Sequence, residues 1–170
     1  MYYKLYRKTI CTLHRDRNEK NMDIYDNLLE VLHHEYDNIK LLKKSERGET
    51  SLVRHRDSGT PYIFKHFYGN SEVYQKLLPV SCPNLPQIME AGEKEGKVAL
   101  LEEYIQGDNL GEILEGSLLT TEEAKQIGQQ LCSALWVLHS RGIVHRDVKP
   151  DNVIIRGNEA VLIDFDASRV

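Results

Sequence analysis

The sequence predicts an α+β fold in two unequal parts: a five-stranded antiparallel sheet with one short helix, then a mainly helical part closed by a hairpin. Three observations carry that expectation. Between residues 39 and 104, short β-type runs alternate with turn signals such as Gly48, Asp57-Ser58-Gly59-Thr60 and Gly92-Glu93-Lys94-Glu95-Gly96. From 121 to 140, apolar residues recur at three- and four-residue spacing. Beyond them, apolar runs at 153–155 and 160–163 flank Arg156-Gly157-Asn158-Glu159, a hairpin signal.

Taken in order, residues 1–21 hold six Lys/Arg against two Asp/Glu and are expected to form a basic, disordered N-terminal extension. Asp23 is placed to cap a helix reaching about Glu35, with Ile24, Leu28, Leu29, Leu32 and Tyr36 along one face. Residues 22–37 therefore lead into the sheet part, which spans 38–105. Its strands are expected at 39–43, 51–56, 62–67, 87–90 and 98–104, with a short helix at 71–78 stopped by Pro79. The second part, 106–170, opens with a short helix at 110–114 and a long one capped by Thr120 or Thr121. In the long helix Ala124, Ile127, Leu131, Ala134, Leu135 and Leu138 form a stripe, and Gly142 sits where a C-terminal cap belongs.

Bulk properties narrow the functional classes. A hydrophobic fraction of 41% and a charged fraction of 28% are those of an ordinary soluble globular protein, and the length fits one domain. No apolar run approaches the roughly 18 residues that cross a bilayer, and the first residues lack the apolar stretch of a signal peptide. Cys11, Cys82 and Cys132 are scattered and form no C-x-x-C pair, which fits a reducing cytoplasm and argues against structural zinc. The net charge of −4 divides into +4 on the extension and −8 on the remainder, so no nucleic-acid partner is expected.

The chemistry lies in His145-Arg146-Asp147-Val148-Lys149-Pro150-Asp151-Asn152, followed twelve residues later by Asp164-Phe165-Asp166. One loop supplies a carboxylate, an ammonium and an amide, and a second carboxylate arrives on the next hairpin. Phosphoryl transfer from a magnesium nucleotide uses these groups: a base near the hydroxyl, a cation on the phosphate and oxygens for the metal. Any one of them alone reads as a solvated loop residue. It is the set, in this order, that points to chemistry.

Residues 38–170 resemble the first half of a protein kinase, through the H-R-D-x-K-P-x-N string and the D-F-x motif that follows it. Lys149 points to the serine/threonine group, and the D-F-D wording is most like small bacterial kinases of the eukaryotic type. The resemblance implies a protein-kinase-like α+β fold with a partial second lobe, ending just after the D-F-G equivalent. It implies ATP and Mg2+ as cofactors and a protein substrate offering Ser or Thr.

By the same resemblance, Asp147 orients and deprotonates the acceptor hydroxyl, Lys149 balances charge on the moving γ-phosphoryl group, and Asn152 and Asp164 hold Mg2+. His145 and Arg146 serve as scaffold, with His145 bonding the backbone near Asp164. Upstream, Lys65 of Tyr62-Ile63-Phe64-Lys65 grips the α- and β-phosphates, and Ile63 roofs the adenine. Glu72 is the implied ion-pair partner of Lys65, only seven residues away; the competing reading is a surface glutamate favoured by the helix dipole alone. Backbone groups of Glu103 and Ile105 meet the adenine edge, and Ile154 belongs to the same nucleotide site. Glu102 falls at the back of the adenine pocket, where a carboxylate must be desolvated or paired.

Some positions depart from the family pattern. Of the phosphate-covering G-x-G-x-x-G-x-V, residues 43–50 keep only Gly48, with Thr50 at the valine position, which predicts modest nucleotide affinity. Asp166 replaces the glycine of D-F-G. Two rivals stand beside the kinase reading: a non-catalytic truncated or pseudokinase module that binds nucleotide or a protein partner, and a small-molecule phosphotransferase. The second shares the loop Asp, the Asn and the metal Asp but usually lacks the H-R-D-x-K-P wording.

Overall fold

The computed structural model describes residues 23–170, so the basic extension at 1–21 lies outside the described residues. Helix α1, Ile24–Glu35, starts where Asp23 accepts a hydrogen bond from the Tyr25 N–H at 3.4 Å. It runs directly into β1, Tyr36–Ser45, followed by β2, Gly48–His55, and β3, Pro61–Tyr68. After the short α2, Glu72–Leu77, come β4, Ile88–Lys94, and β5, Lys97–Glu103. The five strands form one antiparallel sheet in the order β1-β2-β3-β5-β4.

Both faces of this sheet are covered, which explains the unbroken apolar run Val98-Ala99-Leu100-Leu101 in β5. Alternate residues of a strand face opposite sides. Ala99 and Leu101 pack with Tyr25 and Leu28 of α1, whereas Val98 and Leu100 pack with Val73, Tyr74 and Leu77 of α2. Strand β1 extends beyond the expected 39–43 and is exposed after Tyr36. It is an edge strand with two register irregularities, between Asn38 and Lys40 and between Leu41 and Lys43. Such bulges, with its lysines, blunt an edge against further pairing.

Close approach of α1 to the sheet depends on Gly92 in β4. A Cβ there would lie 2.5 Å from the Tyr25 nitrogen and 2.6 Å from its Cα. Because the obstacle is backbone, α1 would have to move. Gly92→Ala is therefore expected to destabilise the fold by about 1–3 kcal/mol, read as a lower urea midpoint at unchanged m-value.

The second part is built around a three-stranded sheet, β6-β7-β8, from Asp108–Asn109, Val153–Arg156 and Glu159–Leu162. The hairpin β7-β8 matches the expectation. The two-residue β6 was not foreseen, because two residues carry no periodicity; it lies beside β7 where Gly107 lets the chain pass, a Cβ there falling 2.2 Å from the Ile155 carbonyl oxygen. Helices α3, Leu110–Gly116, and α4, Thr121–His139, each begin with a capping box, Asn109 with Glu112 and Thr120 with Glu123. Helix α4 buries Ala134 and Leu138, with Ile127, Leu131 and Leu135 partly buried against the same core, and Gly142 turns the chain at φ +72°. Val153, Leu162 and Phe165 complete one core shared by α2, α4 and the β7-β8 hairpin. The catalytic-type loop is thus fixed to the sheet above it by continuous packing.

Candidate active site

The loop after α4 is held by main-chain bonds rather than regular structure. The imidazole of His145, 1% exposed, lies between two backbone groups: Nδ1 accepts from the Asp147 N–H at 3.3 Å and Nε2 lies 3.0 Å from the Ile163 carbonyl. That arrangement places the proton on Nε2 and ties the loop to the segment entering Asp164, as expected for a scaffold residue. Arg146 at φ +70° and Asp164 at φ +65° both occupy the left-handed region, uncommon for residues with a side chain. Such strain persists only where surrounding contacts enforce it. Here the His145 bonds, the Val144–Arg169 bridge and the Ser168 hydroxyl donating to the His145 carbonyl supply that constraint.

Burial holds the His145 imidazole below its ordinary value, against the Ile163 carbonyl and the Asp164 and Asp147 carboxylates, which raise it. The unfolded chain then binds more protons than the folded one through this group. Its contribution to stability is full above the unfolded value near 6.5 and is lost as pH falls through the lower folded value. Unfolding midpoints should fall as pH drops from about 7 toward 5, and His145→Gln should flatten that slope. An unchanged slope in the variant would exclude His145 as its source.

Asp147, Lys149 and Asn152 form one cluster. The Lys149 ammonium lies 3.0 Å from Asp147 Oδ2, and the Asn152 amide nitrogen donates to the same oxygen and to the Asp147 carbonyl, both at 2.9 Å. The Lys149 hydrogen bond, with that from Asn152, holds the Asp147 carboxyl below the usual carboxylate range despite some desolvation. Reciprocally, Asp147 raises the Lys149 ammonium. At neutral pH the loop therefore presents a carboxylate able to accept a proton beside a permanent cation.

Asn152 is buried and its amide nitrogen is committed to Asp147, which leaves the amide oxygen as the atom to face a cation. Among the described residues no group of three or more His, Cys, Asp or Glu is arranged to hold a metal on its own. Asn152 and Asp164 nonetheless fit Mg2+, which takes hard oxygen ligands and usually binds through one or two carboxylates together with substrate phosphates.

Above the loop, a cleft of about 650 Å³ is lined by Gly48, Thr50, Lys65, Glu72, Tyr74 and Asp166 among others. It gathers the candidates Gly48, Thr50, Lys65 and Glu72, whereas Ile63, Glu103, Ile105, Ile154, Asp147, Lys149, Asn152 and Asp164 lie outside its lining. Ile105 is buried, and Ile63 and Ile154 are half-buried. The Glu103 N–H donates to the Gln87 carbonyl at 2.8 Å, so any adenine contact from this residue falls to its carbonyl. Its side chain pairs with Arg156 at 2.8 Å.

One expectation is corrected. Lys65 is not paired with Glu72: its ammonium lies 3.3 Å from Glu102 Oε1, 3.6 Å from Asp166 Oδ1 and 3.9 Å from Asp164 Oδ1. The reason is helix phase. The short turn after β3 brings α2 in with Val73, Tyr74 and Leu77 toward the sheet, leaving Glu72 exposed. Gly48, which lines the cleft, also accommodates the neighbouring strand through its missing Cβ: a Cβ there would fall 2.3 Å from the His66 carbonyl oxygen.

Burial opposes the Lys65 charge, but the neighbouring carboxylates of Glu102, Asp166 and Asp164 outweigh it and hold the ammonium above its ordinary value. Burial raises the Glu102 carboxyl, and Lys65 offsets part of that rise. The Tyr74 phenol, pushed up chiefly by burial, stays protonated and donates to Asp166 Oδ1 at 3.1 Å. Tyr74 and Asp166 were not singled out for this role from the sequence. The available signal was strand alternation: with Ile63 opposite Glu102 in the β3-β5 register, Lys65 and Glu102 share a face.

Comparison with known proteins places the chain in a family. The family model described as the protein kinase domain matches residues 36–170. A serine/threonine-protein kinase D of Synechocystis is 40% identical over 113 residues, covering 65% of this chain and 22% of that protein. The serine/threonine-protein kinase pkn2 of Myxococcus xanthus is 35% identical over 98 residues, covering 55% and 12%. Sperm motility kinase 1 of Mus musculus is 30% identical over 150 residues, covering 82% and 31%. The chain spans less than a third of the length of each of these relatives.

Proposed function

Because the chain belongs to the protein kinase domain family, we propose that it carries the nucleotide-binding and catalytic-loop parts of a kinase that moves the γ-phosphoryl group of ATP to Ser or Thr hydroxyls of a protein substrate. The observation that carries this reading is the Asp147–Lys149–Asn152 cluster, a carboxylate held ionised beside a cation. Asp147 accepts the hydroxyl proton, Lys149 faces the charge that develops on the transferred group, and Lys65 holds the nucleotide phosphates. Asn152 and Asp164 are the residues that would hold Mg2+, which when bound supplies charge neutralisation on the phosphates. Glu103, Ile105, Ile63 and Ile154 frame the adenine, and Gly48 and Thr50 lie above the phosphates. We place the protein in the cytoplasm, with no nucleic-acid partner; among the described residues no helix is long and apolar enough to cross a membrane.

The test uses the full chain with γ-labelled ATP, Mg2+ and dephosphorylated casein as acceptor. Label is expected on Ser or Thr with the wild type and to be lost with Lys65→Met and Asp147→Asn. Equal incorporation by all three proteins would refute the roles assigned. A second reading, a nucleotide-binding module without transfer, is favoured by the three carboxylates around Lys65. It predicts ATP binding with no label on any acceptor.

A further inference from the structure

We propose that Glu102 of β5 is the positioning residue for Lys65, filling in this chain the place of a helix-borne carboxylate; the inference rests on the kinase reading of the site. The pair is written into the sheet. In the β3-β5 register Lys65 stands opposite Leu100 and Ile63 opposite Glu102, so the two charged residues are diagonal neighbours on one face. Diagonal cross-strand neighbours lie within reach of long side chains, and here the ammonium and Glu102 Oε1 are 3.3 Å apart.

Both side chains are withdrawn from solvent, at 9% exposure for Lys65 and 7% for Glu102. The second carboxylate oxygen, Oε2, is buried with no hydrogen-bond partner among the described residues. Buried charges persist only where each compensates the other. Among the described residues the Glu102 carboxylate has no other anchor, so its ionised form depends on Lys65. The remaining groups facing the ammonium are looser: Asp166 at 3.6 Å has a side chain 47% exposed, and Asp164 at 3.9 Å one 29% exposed.

Helix α2 brings no carboxylate to Lys65, since its Glu72 is exposed. Its inward positions are Val73, Tyr74 and Leu77, and it reaches Lys65 through the Tyr74 hydroxyl bonded to Asp166. The nearest carboxylate partner of the lysine is thereby set by strand register rather than by the phase of α2.

The experiment measures acylation of Lys65 by an amine-reactive ester, peptide by peptide by mass spectrometry, on the full chain between about pH 7 and 10. Loss of a carboxylate that stabilises the ammonium exposes free amine, and each unit of lowered pKa raises the rate about tenfold. Glu102→Gln is expected to accelerate Lys65 acylation by about tenfold or more, with Glu72→Gln unchanged from wild type. Glu102→Asp, which keeps the charge, should retain most of the protection. Acceleration by Glu72→Gln, or a wild-type rate in Glu102→Gln, overturns the proposal. Should Glu102→Gln lose its fold, the other two variants decide: protection kept in Glu102→Asp and in Glu72→Gln supports it, and protection lost in either overturns it. Acylation requires no phosphoryl transfer. A chain inactive toward every acceptor would sink the function proposed above and leave this result standing.

Discussion

Asp147→Asn is expected to reduce label transfer by about two to four orders of magnitude, the range a positioned proton acceptor contributes. Nucleotide affinity should change little, because Asp147 does not line the cleft and its bonds among the described residues are to Lys149, Asn152 and His145. Asparagine keeps the shape but removes the charge that orders Lys149 and the basicity that accepts a proton. The kinetic signature is therefore a fall in kcat with KM for ATP nearly constant. The pH profile supplies a second check. The carboxyl sits below its usual range, so the base form is present through neutral pH and is lost only as pH falls through that depressed value. A wild-type rate that halves between about pH 8 and 7 would contradict a carboxylate base here.

Tyr74→Ala is expected to cost about 3–5 kcal/mol, the range for truncating a buried aromatic. Tyr74 is 2% exposed and joins the two parts of the molecule. Its ring meets Phe67 of β3 at 5.9 Å and Phe165 at 6.3 Å between centroids, and Phe165 in turn meets His145 at 5.4 Å. A column of rings thus runs from the sheet to the catalytic-type loop, and truncating its middle member opens a cavity against both. Tyr74→Phe keeps the column and removes only the hydroxyl bond to Asp166, a loss of about 0.5–1.5 kcal/mol. Urea unfolding of the pair separates packing from hydrogen bonding. Equal losses for both variants would show that the hydroxyl, rather than the ring, carries the stability.

Most of the secondary structure could be read in advance because its signals are local. Asp23, Thr120 and the 121–140 stripe announce helix ends and a helix face within a few residues of each other. The β7-β8 hairpin is equally local, with its turn residues between two short apolar runs. Where local signals are weak, expectation and structure part. Strand β1 carries lysines and no alternation, so its true length appears only when β2 pairs with it. The partner of Lys65 is the sharper case. Glu72 is near in sequence, but the phase of a six-residue helix turns it outward, and Glu102, thirty-seven positions away, arrives through the register of β5.

Order and chemical type, then, belong to the sequence. Asp147, Lys149, Asn152 and Asp164 stand in a spacing that specifies a loop followed by a hairpin, and that local grammar carries the family and the chemistry. Which ammonium meets which carboxylate belongs to the tertiary structure. Ion pairs are decided over a few ångströms, and strand register and helix phase set those distances between residues whose separation along the chain says little. Asp147 met its partners within five positions of one loop. Lys65 met its own across a sheet, and only the folded sheet shows that Glu102 is the residue it meets.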